Sequence, residues 1–175
     1  MLADVSTITK IAAGDTDALT SLYREYRKDV YRLAYVLTKQ RADAEDITQE
    51  VFLTVAEKAR TYKVNISEKA WLMKITRNKA LNLINSRARL VPLHDTLEDN
   101  RFKAEEKDIE FMDILKCLAP TGREIVLFHI AYGLSHKEIS MILKMSHNAV
   151  RKQYSRAIKT LEASIEKEQS DEANH

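Results

Sequence analysis

The chain has 175 residues, carries a net charge of +2, and is 45% hydrophobic and 31% charged. This length fits one or two domains, and the apolar content is sufficient for a hydrophobic core. With three Gly, two Pro and one Cys, the composition favours an all-helical fold and excludes both a disulfide framework and a Cys-based zinc site.

The sequence lacks the signals of membrane proteins and of most enzymes. No apolar run approaches the ~20 residues that span a bilayer, and the N-terminus has no basic region followed by an apolar core. There is no Gly-rich phosphate loop, nucleophile motif or metal-ligand spacing of His residues. We therefore expect a cytoplasmic protein that does not insert into the membrane, is not an enzyme and needs no cofactor or metal.

The first half of the chain begins with three helical patterns. A short helix up to Ala13 precedes a longer one with apolar residues from Leu19 to Leu37, and residues 39–42 break that pattern. A third helix is predicted over residues 43–59, and its inward positions are Ala44, Ile47, Val51, Phe52, Val55 and Ala56. The first turn of the third helix is acidic, which the helix macrodipole explains by itself.

The fourth pattern is basic and rich in Asn. Ser67 is placed to cap a helix that runs to about Arg87, and residues 69–89 contain six bases and no acid. The inward positions are Trp71, Leu72, Ile75, Leu83 and Ile84. Asn and Arg side chains pair with base edges and phosphates, so we interpret this helix as a nucleic-acid contact. The alternative is a helix whose Asn residues satisfy backbone groups or face water.

The middle of the chain is predicted to be a linker between two domains. Residues 89–107 have no durable periodicity and contain Pro92, and residues 94–110 carry seven acids against three bases. Helical patterning resumes near Lys107, and we expect Cys117 to lie in the core there, because free Cys is usually buried. Pro120 ends that helix.

A core helix is predicted next, starting at Thr121. Its inward positions are Ile125, Val126, Phe128 and Ile130. Gly133 is placed to end it in a left-handed cap.

The stretch from Ser135 to Thr160 has the pattern of a helix-turn-helix. Ser135 and Glu138 form a capping box, and Ser146 is a good N-cap for the second helix. Residues 135–161 contain six bases and one acid, and a short capped helix that leads into a longer basic one is the plan of a DNA-reading motif. The alternative is a helical hairpin with a solvated basic face. The polar tail from Glu162 is expected to fray.

Two sets of motifs resemble one protein family. The runs DAEDITQEVFLTV, at residues 43–55, and AWLMKITRNKALNLI, at residues 70–84, resemble the second conserved region of bacterial RNA polymerase sigma factors. The run LAPTGREIVLFHIAYGLSHKEISMIL followed by AVRKQYSRAIKTL resembles the fourth region. With nothing substantial between these regions, the chain resembles the extracytoplasmic-function (ECF) group of the sigma-70 family. The resemblance implies a region 2 domain at residues 1–88, a linker at 89–107 and a region 4 domain at 108–175.

The resemblance also implies the function of the whole protein, a factor that binds core RNA polymerase and directs promoter-specific initiation. It further implies a role for each motif. The residues implied to dock on the clamp helices of the largest polymerase subunit are Asp43, Glu45, Asp46, Gln49 and Glu50. The residues implied to capture a flipped base are Lys63, Asn65 and Ser67. Those implied to contact the −10 element are Lys74, Arg77, Asn78, Asn82 and Asn85. Those implied to read the −35 element are Asn148, Arg151, Lys152, Gln153 and Arg156. ECF factors are commonly held inactive by an anti-sigma partner, which we also expect here.

The sequence departs from the family pattern in the helix-turn-helix. Lys144 occupies the turn position where the family usually has Gly, and positive φ is uncommon for Lys. Asn148-Ala149 replaces the common Gly-Thr, and Tyr154 replaces the usual Leu. These changes leave the fold expectation intact and bear on the preferred −35 sequence. Two other functions stay open at this point: a helix-turn-helix regulator that acts without being a polymerase subunit, and a helical adaptor.

Overall fold

The structure is a computed structural model that describes residues 6–63, 65–90 and 114–172, and within these ranges it contains helices and turns but no strand. The chain divides into two compact units, Met1–Phe102 and Lys103–His175, called here the front unit and the back unit. The predicted all-helical fold is confirmed.

The front unit is built on α2, against which the other helices pack. The described elements are α1 (Thr7–Ala12), α2 (Thr16–Thr38), α3 (Arg41–Lys58), a 3-10 turn (Ala59–Thr61) and α4 (Glu68–Leu90). Helix α2 contacts α1, α3 and α4, and α3 also contacts α4. The core is formed by residues such as Leu22, Leu33, Val51, Val55 and Leu72, all of which are fully buried.

Local signals determine where these helices begin and end. The Asp15 side chain caps α2 by accepting a hydrogen bond from the Ala18 amide at 2.9 Å, after a left-handed Gly14 with φ of +96°. Helix α2 ends at Lys39, which adopts a left-handed conformation with φ of 56°. The predicted break is therefore real but shorter than expected, because α3 begins at Arg41.

The inward face of α4 differs from the prediction. Its buried positions are Ala70, Leu72, Met73, Thr76 and Ala80. Ile84, predicted to face inward, is 36% exposed. Ala56 of α3 is also exposed. The buried Thr76 hydroxyl donates to the Leu72 carbonyl at 2.8 Å, so its polar group is satisfied within α4.

An ion pair between a buried carboxylate and a half-exposed guanidinium joins α3 to α4. Asp43 is only 5% exposed, and both of its carboxylate oxygens accept hydrogen bonds from the Arg87 guanidinium, Nη2 lying 2.7 Å from Oδ1. Bonding to Asp43 raises the pKa of Arg87. A second cross-link, from Lys79 Nζ to Glu50 Oε2 at 3.0 Å, lies on the surface. Both pairs are consistent with an antiparallel register of α3 against α4, and the pair with the buried carboxylate is the one that stabilises it.

The back unit contains the helix-turn-helix and the core helix that supports it. Its described elements are a 3-10 turn (Leu115–Cys117), α5 (Pro120–Val126), a π-helical turn (Leu127–Ala131), α6 (His136–Leu143) and α7 (His147–Glu172). Helix α5 packs against α7, and a Cβ placed on Gly122 would lie 3.4 Å from the Cβ of Ala157. Phe128, Leu134, Ile139 and Val150 are buried in the core.

Three predictions for the back unit are wrong. Cys117 is exposed, because the 3-10 turn repeats every three residues and therefore buries Leu115 and Leu118 on one side. Ile130 is 51% exposed, because the π-helical turn shifts the side chains away from the α-helical period. Helix α7 does not fray at Glu162 but continues to Glu172. The helix predicted to begin near Lys107 lies outside the described residues as far as residue 113. Most of the predicted linker lies outside them as well.

Replacing Arg87 by Met removes the partner of a buried carboxylate. We expect the front unit to lose roughly 1–3 kcal/mol of stability, the penalty for leaving a buried charged group unsatisfied. Trp71 is the only Trp in the chain and belongs to the front unit, so its fluorescence during urea unfolding measures this loss. Arg89→Met is the matched control, since Arg89 is an exposed Arg on the same helix. Equal stability of the two variants would contradict the role given to the ion pair.

Candidate functional site

The exposed side of α3 forms an acidic face, defined here as Glu45, Asp46, Gln49, Glu50 and Glu57. All five side chains are exposed. Glu45 pairs with Arg41 at 3.0 Å and Glu50 with Lys79 at 3.0 Å. Exposed pairs of this kind contribute little to stability, so their carboxylates can exchange partners readily.

Asp43 does not belong to this face. Sequence reasoning placed it with the acids that contact a partner, but the structure buries it against α4 and uses its carboxylate for Arg87. A group that is buried and bonded on both oxygens cannot also bind an external surface. Its role is to hold α3 in place.

Leu53 is a residue of the acidic face that sequence reasoning missed. It is 65% exposed, the highest fraction among the large exposed hydrophobic side chains of the described residues. At 100° per residue, Leu53 lies between Asp46, Gln49 and Glu57 on the helix surface. The signal in the sequence was an apolar residue off the inward stripe of α3.

The connector before α4 exposes all three of its predicted residues, but one of them also has a structural role. Lys63 and Asn65 are exposed. Ser67 is exposed as well, but its hydroxyl accepts a hydrogen bond from the Ala70 amide at 3.1 Å and so caps α4. The predicted cap is confirmed.

Tyr62 ties the connector to α4. Its hydroxyl donates to the Ile66 carbonyl at 2.7 Å, and its ring meets Trp71 edge-on with centroids 5.4 Å apart. This anchoring holds the connector that carries Lys63 and Asn65 at the start of the basic helix.

The polar residues of α4 lie on a side of the helix away from α3. Lys74, Asn78, Asn82 and Asn85 fall within about 80° of arc at 100° per residue. The three Asn side chains are exposed, and Lys74 and Arg77 are partly exposed. Four of the five predicted residues therefore share one side of α4, and Arg77 lies about 60° outside their arc, at its edge. The five together are called here the basic face: Lys74, Arg77, Asn78, Asn82 and Asn85.

The helix-turn-helix forms as its capping signals predict. The Glu138 carboxylate accepts from the Ser135 amide at 2.9 Å, and the Ser135 hydroxyl accepts from the Glu138 amide at 3.3 Å, so the capping box is complete. Lys144 adopts a left-handed conformation, with φ of 53° and ψ of 43°, although positive φ is uncommon for Lys, so the turn keeps the backbone usual for Gly. The Ser146 hydroxyl then accepts from the Ala149 amide at 3.1 Å and caps α7.

Helix α7 presents most of its predicted reading residues to solvent. Val150, Ala157 and Leu161 are buried against the unit. The exposed residues of the reading face are Asn148, Arg151, Lys152 and Arg156. Gln153 is partly exposed and lies at the edge of that face, so it is the least accessible of the five.

Neither a metal site nor a membrane segment emerges from the described ranges. No group of three or more His, Cys, Asp and Glu side chains in them is placed to hold a metal ion. None of their helices is long and apolar enough to cross a membrane.

Both units match known families. The Sigma-70 region 2 family matches residues 22–90, and the Sigma-70, region 4 family matches residues 108–161. The chain is also 31% identical, over 176 residues, to the ECF RNA polymerase sigma factor SigE of Mycolicibacterium smegmatis, an alignment that covers 93% of this chain and 68% of that protein. The chain belongs to the ECF sigma factors of RNA polymerase. These proteins are promoter-specific transcription initiation factors rather than enzymes.

Further relatives agree with membership of the ECF sigma factors. The ECF RNA polymerase sigma factor BldN of Streptomyces coelicolor is 30% identical over 165 residues, which are 88% of this chain and 62% of that protein. Among solved structures, CnrH in complex with the cytosolic domain of CnrY superposes with a TM-score of 0.70 at 21% identity, covering 91% of this chain and 95% of that one. The sigma factor RpoE of Bartonella quintana, solved with the anti-sigma factor NepR, gives a TM-score of 0.65 at 20% identity, covering 84% and 96%. These two structures support the two-region helical fold.

Proposed function

We propose that the acidic face of α3 docks on the clamp helices of the largest subunit of core RNA polymerase, while the basic face of α4 and the reading face of α7 contact the −10 and −35 promoter elements. The observation that carries this proposal is the separation of charge in the front unit. The acidic face and the basic face lie on adjacent helices, and the Asp43–Arg87 pair holds the register of these helices. One compact unit thereby offers one surface to protein and another to DNA.

The acidic face suits a basic protein surface with an apolar centre. Its carboxylates steer the encounter with positive side chains, and electrostatic complementarity of this kind chiefly sets the association rate and the specificity. Leu53 adds an apolar anchor among the charges. Anchors near the centre of an interface commonly carry a large part of the binding energy.

The basic face of α4 suits unpaired and distorted DNA. Its Asn side chains offer paired donors and acceptors to base edges, and its Lys and Arg offer charge to phosphates. Lys63 and Asn65 in the adjoining connector are our candidates to receive a base flipped out of the stack, since extruding a base costs a few kcal/mol that polar contacts must recover. Ser67 contributes there chiefly by capping α4.

The reading face of α7 suits a major groove. Recognition helices contact base edges mainly through their N-terminal residues, and Asn148, Arg151 and Lys152 lie in the first two turns of α7. The Lys144 turn and the Ser146 cap determine how α7 leaves α6. These local features therefore set the angle at which the reading face is presented.

The partners follow from the family and from its solved members. We propose that the protein acts in the cytoplasm, with core polymerase and promoter DNA, and is held inactive by an anti-sigma factor. Both CnrH and the Bartonella RpoE were solved with a bound partner, and in RpoE that partner is an anti-sigma factor. Run-off transcription with purified chain and core polymerase tests the initiation role. A chain that binds promoter duplex but never associates with core polymerase would instead be a helix-turn-helix regulator.

Replacing Gln49 and Glu50 together by Ala removes two polar contacts from the acidic face. We expect core polymerase binding to weaken about tenfold, which corresponds to ~1.4 kcal/mol, while binding to a −35 duplex is unchanged. Fluorescence anisotropy at two salt concentrations measures both, and the loss should shrink at high salt, where charge effects are screened. Glu162→Ala with Glu166→Ala is the control for altered charge, since both residues are exposed on the back unit.

Replacing Leu53 by Ser tests the apolar anchor. Because Leu53 is 65% exposed, stability should change by less than about 0.5 kcal/mol. Core binding should weaken about tenfold, and this loss should persist at high salt because the lost contact is apolar. Ile165→Ser, at an exposed Ile of the back unit, is the matched control. Unchanged core binding would remove Leu53 from the interface.

Replacing Arg151 by Ala tests base reading by α7. The expected loss is about 1–3 kcal/mol of duplex affinity together with relaxed preference at one base pair of the −35 element. A panel of single-base duplex variants measures both effects. Lys159→Ala, an exposed base two turns further along α7, is the control and should lower affinity equally for all sequences. A uniform loss for Arg151→Ala would make Arg151 a phosphate contact.

A further inference from the structure

Three His residues and one Tyr gather where α5, α6 and α7 meet in the back unit. This histidine cluster is defined as His129, His136, His147 and Tyr154. The His136 ring centroid lies 4.6 Å from that of His129, 4.9 Å from that of Tyr154 and 6.4 Å from that of His147. Tyr154 also meets His129 edge-on at 4.8 Å. The proposed promoter contacts do not use His129 or His136.

The fold builds the cluster from both helices of the helix-turn-helix. His129 comes from the π-helical turn, a local feature that often marks functional sites. His136 is the first residue of α6 and His147 the first residue of α7. His129 Nδ1 lies 2.8 Å from the Leu134 carbonyl oxygen, and since a carbonyl only accepts, Nδ1 carries the hydrogen. The cluster therefore connects the core helix to the start of each DNA-facing helix.

His136 has no place for an added proton. Its Nε2 atom is buried and has no hydrogen-bond partner among the described residues. In the neutral ring this nitrogen can keep a bare lone pair, whereas protonation would place a charged N–H there without an acceptor. Burying an unpaired charged donor is strongly unfavourable.

The groups that face His136 add to this effect. His129 faces it from the π-helical turn, and His147, Arg151 and Tyr154 face it from α7. Burial lowers the pKa of His136 first, and the charges of His129, His147 and Arg151 lower it further. Helix N-termini carry partial positive charge, so the position of His136 at the start of α6 also disfavours a cation.

The geometry points to a pH-sensitive helix-turn-helix. At mildly acidic pH, protonation of His136 loosens the packing of α6 on α7, and this loosening weakens duplex binding. A metal ion is not the natural ligand of this cluster, because no group of three or more metal-binding side chains in the described part of the chain has suitable placement. The contacts among the described residues predict by themselves that acid destabilises the back unit. The weaker duplex binding depends in addition on the proposed −35 role.

The direction of the pH dependence follows from proton linkage. The unfolded chain takes up a proton on His136 at an ordinary pKa of about 6.5, whereas the folded back unit resists it. The stability that His136 contributes is therefore complete above about pH 6.5 and is lost as the pH falls towards the lower pKa of the folded state. Within that window one proton changes the folded-to-unfolded ratio by up to about tenfold per pH unit.

Hydrogen exchange on the full chain tests this inference. Mass spectrometry at pH 7.5, 6.5 and 5.5, corrected for the intrinsic exchange rate, should show protection falling in α6 and α7 but not in α2–α4. This range avoids most carboxylate titration, which lies near pH 4. His136→Phe keeps a ring but cannot titrate, and should retain protection at pH 5.5. His175→Phe, at the last residue of the chain, controls for loss of a histidine and should behave like the parent.

Two measurements keep the test decisive if His136→Phe does not fold. Side-chain NMR titration of the parent should place the His136 pKa below its ordinary value, and His147→Gln should raise it and reduce the acid loss of protection. A His136 pKa at or above 6.5 overturns the inference, and so does equal pH dependence of α6–α7 and α2–α4.

Duplex affinity at pH 7.5 and 6.0 separates the two proposals. Acid loss of protection in a chain that never binds the duplex would reject the −35 role and leave the proton switch standing.

Discussion

The buried carboxylate of Asp43 is the constraint on which the front unit depends. A charged group taken out of water is tolerated only when it is fully paired, so α4 must place the Arg87 guanidinium where both oxygens can bond it. That requirement fixes which turn of α4 lies against which turn of α3. The remaining acids of α3 then face one direction and the Asn-rich side of α4 faces another. A single internal pair thereby orients two external surfaces.

In the back unit, a backbone conformation rather than an ion pair determines how two helices are joined. The short turn between α6 and α7 contains one residue outside right-handed space, and this residue is Lys144, with φ of 53°, rather than a glycine. The cost of roughly 1–2 kcal/mol for a left-handed non-glycine residue is offset by the capping box before α6 and the Ser146 cap on α7. The rings of the histidine cluster lie where these two helices begin. The same geometry that aims α7 therefore gathers groups able to respond to protons.

Two of the errors of prediction share one physical origin. Apolar periodicity assumes a regular α-helix, and it fails where the chain departs from that repeat. The 3-10 turn exposes Cys117 and the π-helical turn exposes Ile130. The error in α4 is of another kind, since Thr76 and Ala80 are buried there while the larger Ile84 is exposed.

The helical class, the family, the capping box and the Ser146 cap could be predicted from the sequence alone. These depend on neighbouring residues or on motifs with fixed spacing, and both can be read along one chain. The packing of the elements was needed to show that Asp43 is internal, that no other element covers Leu53, and that His129 and His136 meet. Burial and distance between elements depend on which surfaces pack together, and that choice is made by the whole fold rather than by any local stretch.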